Sequence, residues 1–304
     1  MRALAVGGSA PIFMAGCQFT DASKTTKLMM LNKPNARSRM WLLPILVLLL
    51  EATHAETRNH MNPVQFKAAA FNVRVGRNAS PEEIGHALKP YDLDVVCFSE
   101  APDGDWTERA GKVLGLNHVV LGRYPTAGHD DKYKTIVSRT PLYGAEEILM
   151  ADSLHTVTRA ITEIERRPIV IYSVHFPFGW RDQAHIDETT GKVTAFVDYL
   201  RDRPDEIAII MGDFNFEPSR PGNPSKYHDM FIDIGLDVSW RDLGIDTANL
   251  HTSRLFKPES ERTGHVIDHI VYPTARVKSI DGDIIEFDKP MSDHKPVWAH
   301  LEIR

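Results

Sequence analysis

The chain is nearly without cysteine. Cys17 and Cys97 are the only two in 304 residues, and if the first is removed with an N-terminal leader, no disulfide or thiolate metal site can form within the mature protein. Cys97, inside "DVVCFSE", reads as a small buried apolar residue. A membrane-spanning run is missing too. "WLLPILVLLL" at 41–50 is ten residues long and contains Pro44, whereas a span needs ~20 apolar residues. From about residue 64 there is no Gly/Ser linker and no repeat, which favours one domain. Basic excess is also lacking. Residues 1–55 hold six of the 35 Lys/Arg and two of the 41 Asp/Glu, leaving the remainder at −10. An acidic body gives no general attraction to a phosphate backbone. Several catalytic signatures are absent as well: no G-x-S-x-G elbow, no Walker A loop and no H-E-x-x-H. The fourteen histidines are dispersed without paired ligand spacing, which argues against a histidine-rich metal-binding protein.

What stands at the N-terminus is an address. "NKPNARSR" precedes the apolar run, and "EATHAET" follows it with Thr53 and Ala55 at the −3 and −1 places of a cleavage site. The expectation is a leader over 1–55 and a secreted or periplasmic protein. Met29, Met30 or Met40 would serve as a later start. "FMAGC" ending at Cys17 offers a lipoprotein-box alternative, but it leaves the second apolar run unexplained.

From residue 64 onward, extended and helical patterns alternate. Strands are expected near 66–75, 93–100, 117–122, 134–139, 159–165, 168–175, 207–212, 266–272 and 295–303. A helix starts at Ser80, with Pro81 at its first position and Glu83 completing a capping box. A long helix fits 182–202, where Ile186, Val193, Phe196, Val197 and Leu200 share one side, and a weaker one fits 225–236. Many strands with occasional helices imply one α/β domain over 64–304 with packed sheets.

The strand ends carry the chemistry. In "IIMGDFNFEP" (209–218) Asp213 and Asn215 share a face if the strand persists, with Phe214 opposite. If the strand stops, the same pair makes a turn. Asn72, Glu100 and His175 stand at or near other strand ends. Asp268 lies inside the apolar alternation "VIDHIVYP", and Asp293 with His294 precedes the final strand. Each has an ordinary reading as a cap, a surface tip or a bonded core group. Together they supply only carboxylates, amides and imidazoles. Hard oxygen ligands such as Glu100 and Asp293 suit magnesium or manganese. A carboxylate can activate water, and imidazolium or amide donors can stabilise phosphoryl oxygens. Glu100 has no basic residue beside it in sequence, which makes it the leading metal ligand.

"FNVR", "FSE", "IVSRTPL", "SVHF", "GDFN", "IDHIVY" and "SDHKPV" stand in the order seen in the endonuclease/exonuclease/phosphatase superfamily, and the chain resembles that DNase-I-like group over roughly 66–302. The resemblance implies a four-layer α/β sandwich, two packed and mostly antiparallel β-sheets flanked by helices. It implies a Mg2+- or Mn2+-dependent phosphoester hydrolase. Asn72, Glu100 and Asp293 would form the metal shell, Asp213 would handle the attacking water, and Asn215 would hold that water or the phosphate. His175 and His294 would contact the phosphate, with Asp268 supporting the far histidine. Arg139 in "SRTPL" fits the pattern as a structural residue. Departures are "YSVH" before His175 and His269 where an aromatic is common.

The partner implied is a phosphoester: a nucleic acid, a phospholipid or an inositol phosphate. Arg181, Arg201 and Arg203 offer a local cationic cluster for a polyanion. Phe176, Phe178 and Trp180 offer an apolar wall for a lipid, against the reading that they pack the core. A catalytically silent binding module on the same fold is disfavoured by the complete set of roles, and a monomer without a stable membrane span is expected. Protein recovered from periplasm or medium is expected to begin at Glu56; N-terminal sequencing that finds 41–50 retained in a membrane would refute the export reading.

Overall fold

The computed structural model describes residues 63–151, 154–178 and 182–304. The leader, Cys17, Trp180 and Arg181 lie outside them.

Two six-stranded sheets form the body. In the first, β11 (Val277–Ile284), β12 (Val297–Ile303), β1 (Val64–Asn72), β2 (Val95–Ala101), β4 (Tyr133–Ser138) and β3 (His118–Leu121) lie side by side. In the second the order is β5 (Leu142–Leu149), β6 (Thr156–Ile164), β7 (Arg167–His175), β8 (Ala208–Asp213), β10 (Asp268–Pro273) and β9 (Leu236–Val238). Each sheet has one parallel pair at its centre, β1 with β2 and β7 with β8; its other pairings are antiparallel. Parallel neighbours end at the same edge, so each pair presents two strand ends together.

Period-two alternation sorts the first sheet's residues between two cores. Ala68, Ala70, Val95 and Cys97 face the second sheet, while Ala69, Phe71, Val96 and Phe98 face α1 (Pro81–Leu88) and α2 (Trp106–Leu114). The first helix has the expected capping box at Ser80 and Glu83. The second carries Trp106, Ala110 and Leu114 at helical spacing before Gly115, a pattern the sequence reading passed over. On the second sheet, α3 (Gln183–Arg201) contributes Val193, Phe196, Val197 and Leu200 to the core. The weak 225–236 helix divides into α4 (Lys226–Ile232) and β9, followed by the short α5 (Ser239–Asp242).

Three strands were not anticipated. β5 is half-exposed and pairs on one side only, so no apolar alternation marks it. β9 is three residues long, and β11 is shifted by a bulge between Ser279 and Asp281. Arg139 bonds Asp94, Asp92 and the Leu93 carbonyl at the opposite ends of β2 and β4 from Glu100, a structural clamp.

Gly212 sits beside Val174 of its own sheet and opposite Ser99 of the other. At φ +146°, a Cβ there would meet the Val174 carbonyl oxygen at 2.0 Å, and that same oxygen accepts a 2.9 Å bond from Ser99 Oγ across the sheets. Gly212→Ala is expected to cost several kcal/mol, since backbone must move; an unchanged urea midpoint would show that the strands yield freely.

His269 is fully buried under an aromatic cluster of Phe176, Phe214, Phe216 and Phe231. Its Nε2 donates to the Phe216 carbonyl at 2.8 Å and its Nδ1 accepts from Trp240 Nε1 at 3.1 Å, which only the neutral ring can do. Burial pushes its pKa from 6.5 down to about 3, against the opposing carbonyl bond. Its stabilising contribution is therefore complete above about pH 6.5 and falls as pH drops toward 3, where the unfolded chain takes a proton that the folded one refuses. His269→Phe is expected to cost about 1–3 kcal/mol at pH 7.5. That deficit should shrink by about 1.4 kcal/mol per unit below pH 6.5. Urea titrations of both proteins at pH 7.5 and 5 measure it, and a constant gap would reject the assignment.

Candidate active site

Asn72 ends β1, on the parity of Ala68 and Ala70, so it faces the second sheet. Its Nδ2 donates to Asp213 Oδ2 at 2.9 Å, and its Oδ1 accepts from Arg74 N at 3.1 Å. Ser99 shares the parity of Val95 and Cys97 and reaches across to Val174. Sequence reading missed this serine, although its place in the alternation was available.

Glu100 breaks the alternation. Its parity with Val96 and Phe98 would send it toward α1 and α2. Instead its φ is +52°, and the β2–β4 register shifts between Phe98 and Ala101. The left-handed residue re-aims the carboxylate into the site, a strained conformation of the sort held by surrounding structure. Its Oε1 lies 3.9 Å from His175 Nε2, and Lys132 Nζ sits 2.9 Å from Oε2. No basic residue neighbours Glu100 in sequence; Lys132 arrives from the loop before β4.

Asp213 ends β8 and is buried. Strand geometry does not persist to Asn215, whose φ is +54°. The Asn215 N–H donates to Asp213 Oδ1 at 2.9 Å, and its Nδ2 donates to the Phe176 carbonyl at 2.8 Å. The shared-face expectation is corrected here. The two residues form an Asx turn, and that turn brings both to the site. Phe214 points the other way into the aromatic cluster, as the alternation required.

Asp268 begins β10 directly opposite Asp213. Its Oδ2 meets His294 Nδ1 at 2.9 Å, while its Oδ1 is buried with no partner. His294 Nε2 lies 3.8 Å from Asp213 Oδ2, and His175 Nε2 lies 3.6 Å from the same oxygen. Burial opposes charge on His294, yet Asp268 and then Asp213 outweigh it and raise its pKa to about 10. His175 goes the other way: burial outweighs Asp213 and lowers it to about 4. At neutral pH the two histidines therefore differ, one an imidazolium and one a neutral ring. Burial also raises Asp213, opposed by His294 and reinforced by Asp268.

Of the metal shell implied by resemblance, Asn72 is turned to Asp213, Glu100 to Lys132, and Asp293 to Arg74, with Nε 3.4 Å from Oδ2. Among the described residues, the tight cluster of ligand-type groups is Asp213, Asp268 and His294, within 4.8 Å of one another. A doubly protonated imidazole cannot ligate, which makes that cluster a poor seat for an ion at neutral pH. Glu100 and Asp293 supply hard oxygen donors of the kind magnesium and manganese take, so the donor chemistry fits such an ion.

Arg201 and Arg203 do not reach the site. They line a cavity with Ala208 at the start of β8, whereas Asp213 ends it; five residues of strand separate the two by ~17 Å. Arg203 lies over the Tyr199 ring at 3.6 Å, and Arg201 pairs with Asp198. The apolar wall also divides, since Phe176 is core while Phe178 is exposed and lines a cavity with Asn215 and His294.

Among solved structures, an endonuclease/exonuclease/phosphatase from Beutenbergia cavernae matches at TM-score 0.66 and 16% identity, covering 79% of this chain and 72% of its own. The 3′ phosphatase NExo from Neisseria, bound to a product DNA hairpin, matches at 0.61 and 19%, covering 77% and 98%. D. rerio TDP2, complexed with a single-strand DNA product, matches at 0.60 and 15%, covering 78% and 98%. At such identities the likeness is one of fold. No curated protein matches the chain. The sequence of residues 69–294, which includes each of the candidate residues described above, matches the Endonuclease/Exonuclease/phosphatase family, and the chain belongs to that family.

Proposed function

We propose that this protein is a magnesium- or manganese-dependent hydrolase of phosphoesters that works by direct attack of water, without a covalent intermediate. The observation that carries this reading is the surround of Asp213: a buried carboxylate with an amide donor, an imidazolium and a neutral imidazole all turned toward Oδ2. Asp213 takes the proton of the attacking water, and a pKa raised by burial suits a general base better than an ordinary carboxylate would. Asn215, pinned by its bonds to Asp213 and Phe176, orients that water or a phosphoryl oxygen. His294, held charged by Asp268, presents Nε2–H to the phosphate as negative charge grows. His175 presents Nε2 from the opposite side. Glu100 and Asp293, with Asn72, would hold the ion, which when bound supplies a Lewis acid beside the phosphoryl oxygens.

The family hydrolyses phosphoester bonds, and the fish and Neisseria structures hold DNA products; DNA therefore belongs beside phospholipid and inositol phosphate among substrates to assay. The further parts of the reading are a leader over 1–55, a catalytic domain over 64–304, a periplasmic or secreted location and a monomer. Among the described residues no helix is long and apolar enough to cross a membrane.

The test is Asp213→Asn, assayed with magnesium or manganese on a generic aryl phosphodiester and on those three natural classes. The rate is expected to fall by about 10²–10⁴-fold, and chelation of the wild type with EDTA should abolish turnover. The variant should stay folded with a modestly lower melting temperature, because its new amide faces Asn72 Nδ2, another donor. Near-normal turnover would return Asp213 to a purely structural turn.

A further inference from the structure

A cavity of about 380 Å³ opens directly from Asn215, Asp293 and His294. Its far wall comes from the 250–265 segment, for which the sequence offered no regular pattern. Arg254, Phe256 and Lys257 stand there, facing Arg74 and Phe178. Three Lys/Arg side chains against one carboxylate is an unusual local balance in a chain of net charge −6. The one carboxylate, Asp293, is already beside Arg74. Arg254 donates to a backbone carbonyl, that of Glu261, and among the described residues no carboxylate pairs with Arg254 or Lys257.

This wall is held in shape. Leu255 N donates to the Asp293 carbonyl at 3.0 Å, and Arg262 Nε donates to the Lys257 carbonyl at 2.6 Å. Thr252 Oγ1 accepts from Ile267 N and Asp268 N at 3.0 and 3.2 Å, so the segment's start is tied to the strand that bears Asp268. Arg254 itself has φ +64°, a conformation that an arginine adopts only under constraint. The two rings are half-exposed, Phe178 at 49% and Phe256 at 50%. One face of Phe256 is taken by the Arg74 guanidinium, 4.9 Å from the ring centroid.

From this we infer that the cavity is the substrate's specificity subsite, and that it accepts a second anionic group borne by the phosphoester, seated on Arg254 and Lys257, with flat apolar surface against Phe178. The inference rests on the proposed hydrolytic centre at Asp213. It selects within the substrate classes. A choline-type headgroup brings a quaternary ammonium into a wall that already carries three cations. A second phosphate instead gains charge-assisted bonds from groups that have no other anion. Nucleotide ends and inositol polyphosphates both carry such a phosphate, and the nucleotide alone adds a planar ring.

Calorimetric binding in EDTA, where turnover is halted, tests this on the full protein with four probes: a nucleoside monophosphate, the matching nucleoside bisphosphate, an inositol bisphosphate and phosphocholine. The bisphosphates are expected to bind roughly 10-fold tighter than the monophosphate, with phosphocholine weakest. A further gain for the nucleoside over the inositol compound would identify the ring as part of recognition; equality would assign recognition to the anion alone and remove Phe178 from the inference. Arg254→Gln and Lys257→Gln should each erode the preference for bisphosphate over monophosphate. Equal affinity of wild type for monophosphate and bisphosphate, or tighter binding of phosphocholine, would overturn the inference even if the aryl ester is hydrolysed. A retained preference without any hydrolysis would instead sink the catalytic reading.

Discussion

The hydrogen bond from Asn72 to Asp213 joins the two sheets where the chemistry gathers, and much of the surrounding structure exists to allow it. Face-to-face sheets ordinarily stand ~10 Å apart, too far for short polar side chains to meet without a local constriction. Gly212 and Ser99 provide that constriction, one by having no side chain and the other by bonding the Val174 carbonyl at short range. Because β1 and β2 run parallel, as do β7 and β8, the ends bearing Asn72, Glu100, His175 and Asp213 lie at one edge. The antiparallel neighbour β10 starts there, bringing Asp268, and the turn before β12 brings Asp293 and His294. The topology thus gathers seven residues from six separate segments into one place.

Burying two carboxylates side by side is unfavourable unless charge and hydrogen bonds compensate. Here a single imidazolium lies between Asp213 and Asp268, its Nε2 3.8 Å from the first and its Nδ1 2.9 Å from the second. His175 receives no comparable support, since its Nδ1 is buried without a partner. The asymmetry gives the site two donors of different character from one residue type: a charged one fixed by Asp268, and a neutral one beside Glu100. Asp268 therefore reaches the open side of the site only through His294, and its second oxygen is buried without a partner.

Where sequence reading succeeded, it did so through regular geometry. The apolar runs near 66–75 and 93–100 marked β1 and β2, and the capping box at Ser80 marked a helix start. It failed where the backbone leaves the regular regions. Glu100 and Asn215 both have positive φ, and neither orientation follows from counting by two. Lys132 could not be paired with Glu100 by spacing, because the contact depends on how the loop before β4 folds back. Edge strand β5 lacked a buried face to impose a pattern, and Arg201 and Arg203, at and just beyond the end of α3, looked useful until β8 placed them at its other end. The resemblance supplied roles for the motif residues but none for Arg254, Phe256 or Lys257, which stand outside any motif.

The aromatic cluster explains how such a strained edge stays in place. Phe176 follows His175, Phe214 lies between Asp213 and Asn215, and Phe216 follows one residue later; all three pack with Phe231, and Phe214 and Phe216 also meet His269. His175, Asp213 and Asn215 thus each have a buried ring as an immediate neighbour in the chain, so displacing the polar side chain would mean unpacking the ring. Side chains this large bury 150–250 Å² each, enough to outweigh the 1–3 kcal/mol of backbone strain at a single left-handed residue such as Asn215. His269 serves the same purpose by a different route, because its two ring nitrogens fix the Phe216 carbonyl and Trp240 where a phenyl ring could fix neither. The rigidity of the candidate site is accordingly set from behind by hydrophobic packing, and its polar network needs only to orient groups whose positions are already determined.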